Sequence, residues 1–230
     1  MSLQTRQMIA VLFLIVSLMF LGYFFGKRVR DGKQKRKEAE LAYYAKKERY
    51  SYLKPGIFDT CPREDVTSAA LFHCMRKEED DFDNYFENMN ESEKLLYGIY
   101  QATSTIDGPH ASLHSFFLSP VTEPYVKDID AYFEKVGSHE LADLMKAARR
   151  FAEIIENNEE DDEDDPEMGQ YSRYNFSDFT NEFVTLVGST NLSEKLIDFV
   201  LANKEDFYDK DIPEDLDEGE NVDERTSNKI

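Results

Sequence analysis

The chain has 230 residues, 41% of them hydrophobic, which is enough for one compact domain with appendages. Its 27 basic and 47 acidic residues give a net charge of −20, yet residues 27–49 alone carry ten basic against four acidic side chains. Allowing also for Arg6, residues 50–230 hold −27, which suits a basic partner and excludes direct nucleic-acid binding there, since no basic surface remains to neutralise phosphates.

From Gln7 to Gly26 no residue is charged. A helix of that length rises about 30 Å, the hydrocarbon thickness of a bilayer. The bulky LGYFFGKRVR that follows lacks the small residues of a signal-peptide cleavage site. The expectation is a transmembrane helix over 8–26 behind a short extracytoplasmic N-terminus, 1–7. Lys27, Arg28, Arg30, Lys33, Lys35, Arg36 and Lys37 come next, so the positive-inside rule predicts a single-pass protein of the bacterial inner (cytoplasmic) membrane with its C-terminal domain in the cytoplasm. The same seven side chains are candidate lipid-headgroup ligands. Residues 27–59 read as a basic juxtamembrane spacer and linker, helical in its second half. Cys61 and Cys74 would face a reducing compartment, and without C-x-x-C pairing they read as buried or half-buried thiols rather than zinc ligands.

After the prolines and glycine of YLKPGIFDTCP, the segments carry helical periods. Leu95 or Leu96, Ile99, Ala102, Thr103 and Ile106 form one stripe, with Asn90 and Glu93 spaced as a capping box. Tyr125, Ile129, Tyr132, Phe133 and Val136 form another, from Pro124 in a first turn to a stop at Gly137. Leu141, Leu144, Met145, Ala148, Phe151, Ala152 and Ile155 follow Ser138 as an N-cap. Phe176, Phe179, Phe183 and Val187 end at Gly188, and Asn191 with Glu194 opens a last helix through Leu196, Ile197, Val200 and Leu201. No stretch alternates in the manner of a strand. The fold class expected is all-α: one N-terminal transmembrane helix, then a compact multi-helix cytoplasmic domain over 60–210. Within it 159–167 reads as an acidic loop, and the acidic tail 211–230 reads as disordered.

Enzymatic signatures are missing. There is no phosphate-binding G-x-x-x-x-G-K-[ST], no G-x-G-x-x-G, no G-x-S-x-G and no H-E-x-x-H. Ser51 and Lys54 match S-x-x-K by chance, in a linker without companion motifs. His110 and His114 stand four apart and could share a helical face as metal ligands, with Asp107 as a third; a packing or turn role is the stronger reading, with Phe116 or Phe117 as a core anchor. His73 reads as a core-edge histidine and His139 as a first-turn residue. No catalytic residue, metal or cofactor is expected.

ESEKLLYGIYQATSTIDGPHASLHSFFLSP, followed by YVKDIDAYFEKVGSHELADLMKAARRF, resembles the DNA-mimic protein family, a bacterial family named for a member that imitates duplex DNA. Gly108 occupies its turn, Phe116 and Phe117 its paired aromatics and Gly137 the end of its next helix, while LIDFVLANKEDFY with Phe207 is similar to its closing helix. Pro109, His110 and Ser115 depart from the pattern. The resemblance spans roughly 63–209 and implies an α-helical interaction domain, with a homodimer as one possible state. The resulting expectation is a membrane-anchored acidic module that binds a basic protein, more narrowly a DNA-binding protein by DNA mimicry. Its partner-binding candidates are Glu159, Glu160, Asp161, Asp162, Glu163, Asp164 and Asp165. The alternatives are a scaffolding protein of the inner membrane, whose acidity serves solubility, and a metal-dependent enzyme using His110 and His114.

Overall fold

The computed structural model describes residues 33–106, 112–156 and 175–210, which form helices and turns with no strand among them. The chain divides at Arg49 and Tyr50 into two compact units. In the first, a helix over 33–49 (α1) is exposed along nearly its whole surface, as its charged, proline-free sequence allows, and Leu41 and Tyr44 stand open to solvent.

The expected transmembrane helix, and with it the single-pass inner-membrane placement, is corrected: among the described residues no helix is long and apolar enough to cross a membrane. The run over 8–26 that carried the expectation lies outside the described residues. Apolar length makes a segment able to span a bilayer, but it does not by itself build the helix. The fold class is therefore all-helical, without an assigned membrane-spanning element.

The second unit begins with α2 (Ile57–Thr60), a 3-10 turn (Arg63–Asp65) and α3 (Val66–Asp80). It continues through α4 (Tyr85–Asn88), α5 (Glu91–Ser104), α6 (Leu113–Leu118), α7 (Glu123–Val126), α8 (Ile129–Lys135) and α9 (His139–Glu156). The helices α10 (Phe176–Ser189) and α11 (Leu192–Ala202) precede a closing 3-10 turn (Lys204–Phe207). Tyr50, Leu53 and Phe58 are buried, so packing starts well before residue 60.

Two apolar clusters hold this unit together, and α5 stands between them. Leu95, Ile99 and Ala102 join Phe116, Ile129, Phe133, Leu141, Met145 and Phe183 in one, while Leu96 turns the other way onto Phe58, Val66, Ala69, Val200 and Phe207. Close approach demands Gly98 on α5. A Cβ there would lie 2.9 Å from the Tyr125 ring and 3.0 Å from that of Tyr132, both buried.

Local rules decided some helix ends. Asn90 accepts from the backbone N–H of Ser92 and Glu93, and Glu93 accepts in return from the N–H of Asn90, completing the expected capping box. Gly137, at φ 73°, ends α8 with Gly137 N–H donating to Glu134 and Ser138 N–H to Phe133. The stripe from Tyr125 to Val136 is nevertheless two helices broken at Lys127 and Asp128, although its five apolar members are all buried. At Asn191 the expected box with Glu194 does not form: the residue is left-handed, φ 52°, and its side chain caps nothing. A box that sequence reading passed over, Asn175 with Asp178, opens α10.

Candidate functional site

The described part of the second unit carries 26 acidic and 13 basic side chains, net −13, so half of the negative excess after residue 49 is held on ordered elements. Some of these carboxylates are already matched. Arg63 bonds both Glu194 and Asp198 at 2.9 and 2.8 Å, Lys204 bonds Asp59 at 2.8 Å, and Arg149 bonds Asp130 at 3.2 Å. His139, exposed in the first turn of α9 as expected, meets Glu134 at 2.9 Å, and that carboxylate raises the imidazole's pKa. Others face solvent with no ion-pair partner among the described residues: Asp83 before α4, Glu87 on α4, Glu140 and Asp143 on α9, and Glu182 on α10. Their spacing is set by helices; Glu140 and Asp143, three apart, are neighbours on one face, about 5–6 Å between Cβ atoms.

Beneath this surface lies a buried ionic network that sequence reading missed. His73 on α3 is 1% exposed, with Nε2 2.7 Å from Glu93 Oε1 and Nδ1 3.2 Å from Asp209 Oδ2. Each ring nitrogen faces a carboxylate oxygen, which favours an imidazolium, while Arg76 Nη2 also lies 3.5 Å from Nδ1. Lys77 Nζ donates to both oxygens of Glu93 at 2.7 and 2.8 Å, and Arg76 Nη2 reaches Asp209 Oδ1 at 2.5 Å. Arg76 also donates from Nε to the Ser51 carbonyl at 2.7 Å and lies 4.1 Å over the ring of Tyr52. Asp209 accepts from the Leu53 N–H at 2.7 Å and donates its own N–H to the Leu53 carbonyl at 3.0 Å.

Burial disfavours every charge here, and the partners outweigh it. Desolvation works against the His73 cation, but hydrogen bonds and attraction from Asp209 and Glu93 raise its pKa above 6.5. Burial likewise opposes the Glu93 and Asp209 anions, yet His73 above all, with Lys77 at Glu93 and the Leu53 N–H and Arg76 at Asp209, lowers both. With all five ionised the cluster sums to +1, and Asp80, 3.2 Å from Arg76 Nη1, brings it to zero. It borders a cleft of about 520 Å³ that Asn88, Asn90 and Tyr208 help to line. These bonds fasten Asp209 and the segment around it to α3, and Glu93 ties α3 to α5.

The acidic candidates Glu159, Glu160, Asp161, Asp162, Glu163, Asp164 and Asp165 lie outside the described residues, as do His110 and the tail 211–230. Lys33, Lys35, Arg36 and Lys37 are exposed on α1, while Lys27, Arg28 and Arg30 also fall outside the described residues. His114 is half-buried and stacks on Phe176, ring centres 4.1 Å apart. Among the described residues no His, Cys, Asp and Glu group is arranged to hold a metal. Phe116 is fully buried and Phe117 half-buried beside it, so the expected core anchor is Phe116. Cys74 is buried and Cys61 half-buried, both free thiols, and burial pushes the Cys74 thiol up.

A family model described as DMP19-like protein matches residues 63–203, from the turn before α3 to the end of α11. No curated protein and no solved structure matches the chain.

Proposed function

The chain belongs to the DMP19-like family, and from that premise we propose that it is an acidic interaction module that binds a basic, DNA-binding protein by offering carboxylates in place of phosphates. Duplex DNA presents about one charge per 1.7 Å of axis, so a mimic needs carboxylates fixed on rigid elements and not merely a high count. The observation that carries the reading is the excess of 26 acidic over 13 basic side chains on the ordered helical unit. Asp83, Glu87, Glu140, Asp143 and Glu182 are the side chains best placed to meet a cationic surface, because no ion pair within the described residues engages them. The module acts by occupying the partner's DNA-binding face. This role requires no bond to be made or broken.

The test is competition. A fluorescent duplex bound to a small basic DNA-binding protein is titrated with the full chain at low and high salt. The chain should release the duplex at low salt and lose potency steeply as screening rises. A variant with Asp83→Asn, Glu87→Gln, Glu140→Gln, Asp143→Asn and Glu182→Gln should compete less well. No release at low salt, or equal release by the variant, refutes the proposal.

A further inference from the structure

Phe82 is 63% exposed, the most open large apolar side chain of the described residues, and it stands in the connector between α3 and α4. The connector is a fixed platform. Asn84 and Asn88 both donate side-chain N–H groups to the Asp81 carboxylate, and the Asn84 N–H bonds the Asp81 carbonyl. The Phe82 ring lies 6.3 Å from that of Tyr85, which is buried and whose hydroxyl donates to the carbonyl of Val121, itself 42% exposed. Phe82 and Val121 thus flank one buried tyrosine.

The sequence on either side of Phe82 has a single sign. From Glu78 to Glu93 the chain holds eight acidic residues and no basic one, and Glu79, Asp80, Asp83 and Glu87 are exposed around Phe82 in sequence; Glu123 follows Val121 closely. An exposed aromatic inside a charged rim has the layout of an interface centre, where a few apolar anchors carry affinity while charge steers approach. Solubility alone would call for the acids and disfavour the phenylalanine.

We propose that the α3–α4 connector is the docking point for the basic partner, and that Phe82 receives an aliphatic or aromatic side chain set among the partner's lysines and arginines. This rests on the acidic-module reading and deepens it. A surface read only as a polyanion would bind through charge alone, and its affinity would vanish with screening. An apolar anchor leaves a part of the affinity that salt does not remove, since apolar burial is not a screened interaction. It also separates this protein's partners by shape and apolar content, which a phosphate backbone cannot do.

Two synthetic helical peptides serve as probes for the full chain: an amphipathic one with lysines and arginines around a single leucine stripe, and one of equal length and charge with glutamine replacing each leucine. Binding is followed by fluorescence anisotropy in low salt and in about 1 M salt, where the Debye length is about 3 Å. The leucine peptide should bind more tightly and keep measurable affinity at high salt. Phe82→Ser, on an exposed site that leaves the fold intact, should weaken the leucine peptide about tenfold, equal to about 1.4 kcal/mol, and leave the glutamine peptide unchanged. Equal leucine-peptide affinity for the native chain and Phe82→Ser overturns the docking point. If Asp83→Asn with Glu87→Gln still weakens both peptides in that case, the acidic-module reading survives. If neither peptide binds at low salt, both fall together.

Discussion

Replacing Glu93 by glutamine removes one negative charge from the buried network and turns one of its two acceptor oxygens into a donor. The amide oxygen can still accept the Asn90 N–H, so the capping box is preserved in outline. The loss is the anion that faces both His73 and Lys77, in a side chain that is 1% exposed. Breaking a buried ion pair by removing one member costs about 3–5 kcal/mol, because the remaining charge is left without compensation. His73 keeps Asp209, and the Lys77 side chain, 25% exposed, can recover water, so the lower end, about 3 kcal/mol, applies. At about 2–4 °C per kcal/mol for a chain of this size, Tm should fall by about 6–12 °C. Urea unfolding across pH supplies the discriminating measurement. The His73 pKa is raised above 6.5, so its contribution is complete below that value and is lost as pH rises through the raised one. Glu93 and Asp209 are lowered from 4.5 and 3.8, so their contributions are complete above those values and are lost as pH falls through the lowered ones. The native chain should therefore be most stable between about 4.5 and 6.5 and weaken on both sides. In Glu93→Gln the alkaline loss should shrink, since one of the two carboxylates that favour the imidazolium is gone. Native stability that rises from about pH 6 to about pH 9, or a cost for Glu93→Gln below about 1 kcal/mol, would refute the ionic account.

Gly98→Ala should destabilise by about 1–3 kcal/mol in the same assay, because the added methyl meets the buried rings of Tyr125 and Tyr132 at 2.9 to 3.0 Å; a neutral result would mean that the rings yield freely. Asn90→Ala should cost about 1–2 kcal/mol through the lost cap and the lost bond to the Asp206 carbonyl. Asn191→Gly should cost nothing or stabilise slightly, since that residue is left-handed and caps nothing, and a comparable loss at both sites would contradict the assigned helix starts.

The helices whose apolar period ran unbroken between capping signals were legible in the sequence. Leu95, Ile99 and Ala102 are buried on α5 behind the Asn90–Glu93 box, with Ile106 just past the helix end, and Leu141, Leu144, Met145 and Ala148 are buried on α9. The break between α7 and α8 was not legible, since all five stripe residues remain buried across it. Asn191 shows the limit of a spacing rule: residue types suited to a box stand three apart, but backbone conformation decides whether the side chain can reach. The acidic character of the candidate surface was plain from charge totals, whereas the dense acidic run at 159–165 carries no mark of which helix carboxylates stand exposed. The ionic network was hidden for a different reason. His73 and Glu93 are twenty residues apart and Asp209 follows the last turn, so only folding brings them together. Glu93 gave one usable signal, because its role in the capping box fixed its carboxylate near the start of α5, within reach of α3.

The paired bonds between Leu53 and Asp209 join backbone separated by 156 residues. A contact that distant closes the largest loop in the unit, and closing it costs more chain entropy than any local helix contact. Leu53 and Phe207 share the second apolar cluster, so that cluster is completed only when the two strands of chain meet. During synthesis the first cluster can gather around α5, α8 and α9 while the second waits for Phe207 to arrive. A chain truncated just before Phe207 would thus retain much of its helix and lack this closure, which makes Phe207 to Asp209 the point at which the unit is either sealed or left open.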